Sequence, residues 1–154
     1  MNNKDRNELI LKITCELLGQ LNYDIENAYA EDVEDGQVLM SVTVANPGGL
    51  IGFRGRNLAS LQLILALMVK QKVGEWVKIL LDINNYRDEQ KDRLTKMAQN
   101  LAQKVLATGT PVEMATMSAY ERRLCHMALV EMEGITSESE GEGEERHIVI
   151  KIKN

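Results

Sequence analysis

The stretch Leu50-Ile51-Gly52-Phe53-Arg54-Gly55-Arg56 decides how the first half of this chain folds. Upstream of it, Val38, Met40, Val42 and Val44 alternate with Leu39, Ser41 and Thr43, which is the pattern of a strand with one apolar face. Downstream, Leu58, Leu61, Ile64, Leu65 and Met68 recur at helical spacing, so a helix starts near Asn57. Gly52 and Gly55 therefore bracket a turn that leads into a helix. Glycine lets the backbone approach a ligand closely. A helix N-terminus adds free N–H groups and a partial positive charge, and Arg54 and Arg56 add charge-assisted hydrogen bonds. The pattern predicts a place to hold a phosphate.

Working outward, residues 5–20 read as a helix through Leu9, Ile10, Ile13, Leu17 and Leu18. Tyr23 to Val33 reads as a strand, and Asp35-Gly36 as a hairpin turn into Val38–Val44. Asn46-Pro47-Gly48-Gly49 breaks that strand and leaves room for one turn before the glycine loop. After the helix, Trp76 to Ile83 is a short apolar strand. The order is α-β-β-loop-α-β. From Asn84 or Asn85, either of which can cap it, a long helix runs to about Thr108. Its stripe is Leu94, Met97, Ala98, Leu101, Ala102, Val105 and Leu106, and Gly109 ends it. Pro111 to Met114 is a short strand. Ser118 and Glu121 form a capping box for a helix from Ala119 to about Glu133. Gly134 to Ser139 is an edge strand, Glu140 to Glu145 an acidic turn and His147 to Lys153 a final strand.

The 154 residues are 44% hydrophobic and 27% charged but only 4% aromatic, so the core is aliphatic. No apolar run reaches the roughly 20 residues of a membrane span, and Lys12 and Glu16 interrupt the apolar start, so no signal peptide is expected. Cys15 and Cys125 lack any spacing pattern and read as free thiols of a reducing cytoplasm. Net charge is −5, yet it is unevenly spread. Residues 1–46 hold three basic and nine acidic groups, residues 47–87 six basic and two acidic, and residues 88–154 nine basic and twelve acidic. Positive charge concentrates around the glycine loop, which favours a defined groove for a polyanion over general stickiness.

Arg122 and His126 stand four apart on the predicted 119–133 helix, so they share a face. With Leu124, Met127 and Ala128 turned to the core, both point outward. An arginine fork beside an imidazole suits a phosphate or a base edge. A solvated surface pair, or a histidine bonded to neighbouring backbone, is the other reading of the same residues. Arg146, at the start of the last strand, is placed to join them.

The first half, with Ile51-Gly52-Phe53-Arg54-Gly55 in an α-β-β-loop-α-β frame, resembles a type II KH domain. The second half resembles the R-three-H domain, named for an arginine and a histidine separated by three residues, here Arg122-Arg123-Leu124-Cys125-His126. Their tandem order, the junction Asp82-Ile83-Asn84-Asn85-Tyr86-Arg87 and the ending Thr136-Ser137, Glu140-Gly141 and Arg146 resemble the Jag (SpoIIIJ-associated) family of bacterial RNA-binding proteins. The resemblance implies an α+β chain with a KH unit over 1–84 and an R-three-H unit over 85–154, helices packed on a small three-stranded sheet. It also implies that the chain starts at the KH unit, without the N-terminal domain that many Jag proteins carry. Gln90 stands where that pattern has a basic residue, and the five glutamates of Glu138–Glu145 would repel a passing strand.

The implied activity is binding of single-stranded RNA, with single-stranded DNA as the related ligand. In a KH domain the backbone of about four nucleotides lies over the loop. That assigns phosphate contacts to the amides of Phe53, Arg54 and Gly55 and the side chains of Arg54 and Arg56, with Gly52 shaping the loop. Arg122, His126 and Arg146 form the second contact. Phe53 either stacks on a base or braces the loop. Ile51, Leu58 and Leu61 either floor a groove or belong to the core. The competing reading is a protein-interaction scaffold whose KH unit pairs with itself or with another small KH protein. The eight methionines, Met114, Met117, Met127 and Met132 among them, fit either a core or a contact surface. Catalysis is not expected. Cys125 and His126 point about 100° apart on a helix, two cysteines and two histidines supply no zinc set, and no P-loop is present. No cofactor is expected, and the expected location is cytoplasmic.

Overall fold

The computed structural model describes residues 1–154, and its contacts divide them into two compact units, Met1–Arg87 and Asp88–Asn154. The first begins with helix α1 (Asn3–Gln20), capped by Asn2, whose side chain accepts the Asp5 N–H at 2.8 Å. Its buried face carries Ile10, Ile13 and Leu18. Thr14 is buried there too, and its hydroxyl donates to the Ile10 carbonyl at 2.7 Å. Strand β1 (Ile25–Asp32) is shorter at both ends than the predicted 23–33. It turns through Asp35 and Gly36, both at positive φ, into β2 (Val38–Val44), as the Asp-Gly pair predicts.

In β2 the alternation of the sequence becomes alternation of burial. Val38, Met40, Val42 and Val44 are buried and the residues between them only half-buried. A four-residue turn of helix, α2 (Gly48–Ile51), occupies the room left before the glycine loop. Helix α3 (Arg56–Val73) buries Leu58, Leu61, Leu65, Ala66 and Val69. Ile64, predicted in the apolar face, is 45% exposed. Counted from Leu58 it lies about 120° round the helix, past the edge of the packed stripe. Gly74, left-handed at φ 87°, ends α3 and donates to the Lys70 carbonyl at 2.8 Å. Strand β3 (Ile79–Ile83) starts later than predicted, with Trp76 exposed. The sheet order is β1-β2-β3, with β1 antiparallel and β3 parallel to β2.

At the junction after β3 one of the two candidate caps has another use. Asn84 does not cap the following helix. Its side-chain oxygen accepts the Val44 N–H at 3.0 Å and its amide donates to the Val44 carbonyl at 2.8 Å, so it completes the end of β2. The buried Asp82 carboxylate instead accepts the Arg87 N–H in the first turn of α4 (Tyr86–Thr108) at 3.3 Å. Arg87 donates to the Leu81 carbonyl and to the Gln62 side chain at 3.0 and 2.8 Å. One of the six cations of the basic segment is thus spent on the fold. Asn84→Ala strips Val44 of both partners, and the unfolding free energy is expected to fall by about 1.5 kcal/mol in urea titration with an unchanged m-value.

In the second unit α4 packs Leu94, Ala98, Ala102 and Val105 inward. Met97 and Leu106, predicted in that stripe, lie at its margins and are exposed. Gly109 terminates the helix, its N–H on the Val105 carbonyl at 2.8 Å. Strand β4 (Val112–Glu113), helix α5 (Ala119–Val130), strand β5 (Ile135–Glu140) and strand β6 (His147–Ile152) follow. α5 has the predicted capping box but stops at Val130, short of Glu133. The strands form an antiparallel sheet ordered β4-β6-β5. Both cores are aliphatic: the single phenylalanine and the single tryptophan lie on the surface. No helix is long and apolar enough to cross a membrane.

Candidate functional site

In the first unit the candidate site is the loop between α2 and α3. Gly52 has φ 70° and ψ −176°, a conformation open essentially to glycine alone. A Cβ there would sit 2.6 Å from the Asn57 side chain. Gly55, at φ 76°, is the N-cap of α3, and its Cβ would meet the Tyr86 ring at 3.0 Å. Asn57 braces the loop by donating to the Gly49 carbonyl at 2.8 Å. The two glycines are therefore required by geometry.

Phe53 stands at the tip, 68% exposed. The Arg54 and Arg56 guanidinium carbons lie 5.0 and 5.9 Å from its ring centroid, within cation–π range. The ring holds both cations at the tip. α3 starts with no acidic residue in its first turn and no side-chain cap, so its partial positive end is not neutralised locally. The Gly55 amide, one of the predicted phosphate donors, donates to the Gly52 carbonyl at 3.3 Å. Of the predicted groove residues, Leu58 is core and Ile51 is half-buried against it. Leu61 borders a cavity of about 320 Å³ shared with Leu21, Tyr23, Gly49 and Ile64.

In the second unit α5 places Arg122 and His126 on one face, but not as free side chains. Arg122 Nη1 donates to the Met117 carbonyl at 2.7 Å, and the Met117 N–H donates to the Arg146 carbonyl at 3.2 Å. Arg122 is thus tied through one residue to the backbone that starts β6. The Arg146 guanidinium turns away and donates to Gly141 in the acidic turn at 2.8 Å. His126 is exposed, with Nδ1 2.6 Å from the Ser137 hydroxyl on β5. Sequence reasoning gave Ser137 no role at the site, because its contact is made across eleven residues and a strand. The helix faces also need correction. Cys125 and Leu129 are the buried residues and Leu124 packs against their cluster as expected, while Met127 is 60% exposed.

Cys125 offers no nucleophile. Burial, and then the charge of Glu121, push its thiol up to about 11, which keeps it protonated near neutral pH. Gln90 has a structural role, donating to Glu121 at 3.1 Å, while that same carboxylate accepts the Ser118 N–H at 2.9 Å.

A family model described as the R-three-H domain matches residues 92–151. A protein of Clostridium symbiosum named RNA-binding protein KhpB is 39% identical over 106 residues, 69% of this chain and 48% of its own length. The protein of that name in Bacillus subtilis is 35% identical over 106 residues, 68% of this chain and 51% of its own. In Lactiplantibacillus plantarum the match is 28% over 149 residues, 96% of this chain and 46% of the relative. The chain spans about half the length of these curated relatives.

Proposed function

The chain belongs to the Jag family, whose curated bacterial members carry the name RNA-binding protein KhpB, and from that membership we propose that it binds single-stranded RNA at two sites, one in each unit. Residues 1–84 are read as a KH unit and 85–154 as the R-three-H unit. The observation that carries the reading is the loop tip: an exposed Phe53 with Arg54 and Arg56 both within cation–π distance, on a backbone that favours Gly52 and Gly55. The ring stacks on a base and the guanidiniums take the flanking phosphates. Arg122 and His126, with Ser137 orienting the imidazole and Arg146 shaping the neighbouring turn, supply the second contact.

The test is fluorescence anisotropy with labelled, mixed-sequence single-stranded RNA at 50 and 200 mM salt. With roughly four phosphates neutralised and a slope of about −0.7 for each, affinity is expected to fall about fiftyfold across that range. No binding at low salt with RNA of varied sequence overturns the reading. A second reading, self-pairing or pairing with another small KH protein, is favoured by the exposed Leu63, Ile64 and Leu67 of α3. It predicts association that is indifferent to charge reversal at Arg54 and Arg122.

A further inference from the structure

Three strands of the second unit each turn one metal-binding side chain onto the same face of the sheet. Glu113 lies on β4, His147 on β6 and Glu140 on β5. Glu140 is paired with His147, and Glu113 with Val149, two residues further along β6 and so on the same face. One ligand atom from each residue lies within 4.8 Å of the other two, and His147 Nε2 is 3.8 Å from Glu113 Oε1. His126 reaches this sheet through Ser137, which pairs with Ile150 and therefore belongs to the opposite face. The cluster thus lies on the other face of the sheet from the Ser137 contact that holds His126.

The imidazole is poised as a ligand. His147 Nδ1 is 2.9 Å from the Glu145 backbone carbonyl. A carbonyl only accepts, so Nδ1 is the donor of this contact and Nε2 is the ring nitrogen turned to the glutamates. Nε2 is closed off from solvent and has no hydrogen-bond partner, a costly state for a buried polar atom. At 3.8 Å the contact with Glu113 is too long to satisfy it. Two carboxylates crowd the same point. The neighbouring cation, Lys151, sits closer to Glu138, at 2.9 Å, than to Glu140, at 3.5 Å.

We propose that Glu113, Glu140 and His147 bind one divalent transition-metal ion, best matched by zinc, on the face of the β4-β6-β5 sheet, with water in the remaining coordination positions. One imidazole nitrogen and two carboxylate oxygens suit zinc, whereas magnesium favours an all-oxygen shell. Both glutamates are exposed, so a change of rotamer brings their oxygens in to bonding distance. The strands that carry all three residues are held by the sheet, which keeps the ligand set together before the ion arrives.

Zinc chloride titrated into the full chain by calorimetry, with magnesium present in excess, tests the site. One equivalent is expected to bind in the micromolar range. Glu113→Gln should weaken binding at least tenfold and His147→Gln should abolish it, while Cys15→Ser leaves it unchanged. Because His147 is largely buried and its variant stands to lose stability, the exposed Glu113 carries the decision. Binding that survives Glu113→Gln undiminished, binding lost in Cys15→Ser, or no one-to-one binding in the wild-type chain overturns the proposal.

Discussion

Phe53→Asp/Arg54→Asp is expected to lower affinity for labelled single-stranded RNA about a hundredfold at 50 mM salt. Stacking of an aromatic ring on a base contributes about 1–3 kcal/mol, all of which leaves with Phe53. Removing the Arg54 cation forfeits a phosphate contact, and the two new carboxylates repel the strand that remains. Arg56 also loses the ring that holds it 5.9 Å from the centroid, so its charge is less well placed. The fold should not respond. Phe53 and Arg54 are exposed, neither belongs to the core, and aspartate tolerates the left-handed φ of 53° found at residue 54. Circular dichroism and the melting temperature should match the wild type within about two degrees. An affinity within threefold of the wild type, with folding intact, would mean that the loop does not hold RNA.

What the sequence disclosed and what it hid divide by the range of the interactions. Val38–Val44, Gly74, Gly109 and the Ser118–Glu121 box were legible because each is encoded within a few neighbours: a two-residue period, a left-handed stop, a reciprocal cap. Gly52 and Gly55 stand out in the sequence for close approach to a ligand; the structure adds a local restriction at Gly52, from Asn57, and a distant one at Gly55, from Tyr86. Asn84 was not legible. It resembles a helix cap, yet it bonds to Val44, forty residues earlier, and nothing local distinguishes the two uses. Arg87 reads in the sequence as one more positive charge of residues 47–87, because its partners, Gln62 and Leu81, meet it only in the folded unit. Ile64, Met97 and Leu106 read as core in the sequence because an apolar residue at the margin of a helical stripe looks like one at its centre. At the second site, the spacing of Arg122 and His126 gave the shared face. The spacing could not show that Met117 takes one side chain and Ser137 the other.

Those two ties decide how Arg122→Glu/His126→Ala should behave. Affinity for single-stranded RNA is expected to fall about thirtyfold, through one lost guanidinium contact, one introduced negative charge and one lost imidazole. Unlike the loop variant, this one should also lose stability. Arg122 donates to the Met117 carbonyl at 2.7 Å, and a glutamate cannot donate in its place. The carbonyl loses a charge-assisted partner at a cost of about 1–2 kcal/mol. Arg122→Lys separates the two effects. A lysine keeps the charge and can still reach a carbonyl, but it lacks the fork that binds a phosphate with two parallel hydrogen bonds. It should recover most of the unfolding free energy and only part of the affinity. His126→Ala alone, at an exposed position, should reduce affinity a few-fold without moving the melting temperature. If Arg122→Lys restores both stability and RNA binding completely, the guanidinium serves the fold through Met117 and makes no contact of its own with RNA. If the double variant folds and binds as the wild type does, RNA recognition rests on the glycine loop, and the Arg-His face of α5 has another partner.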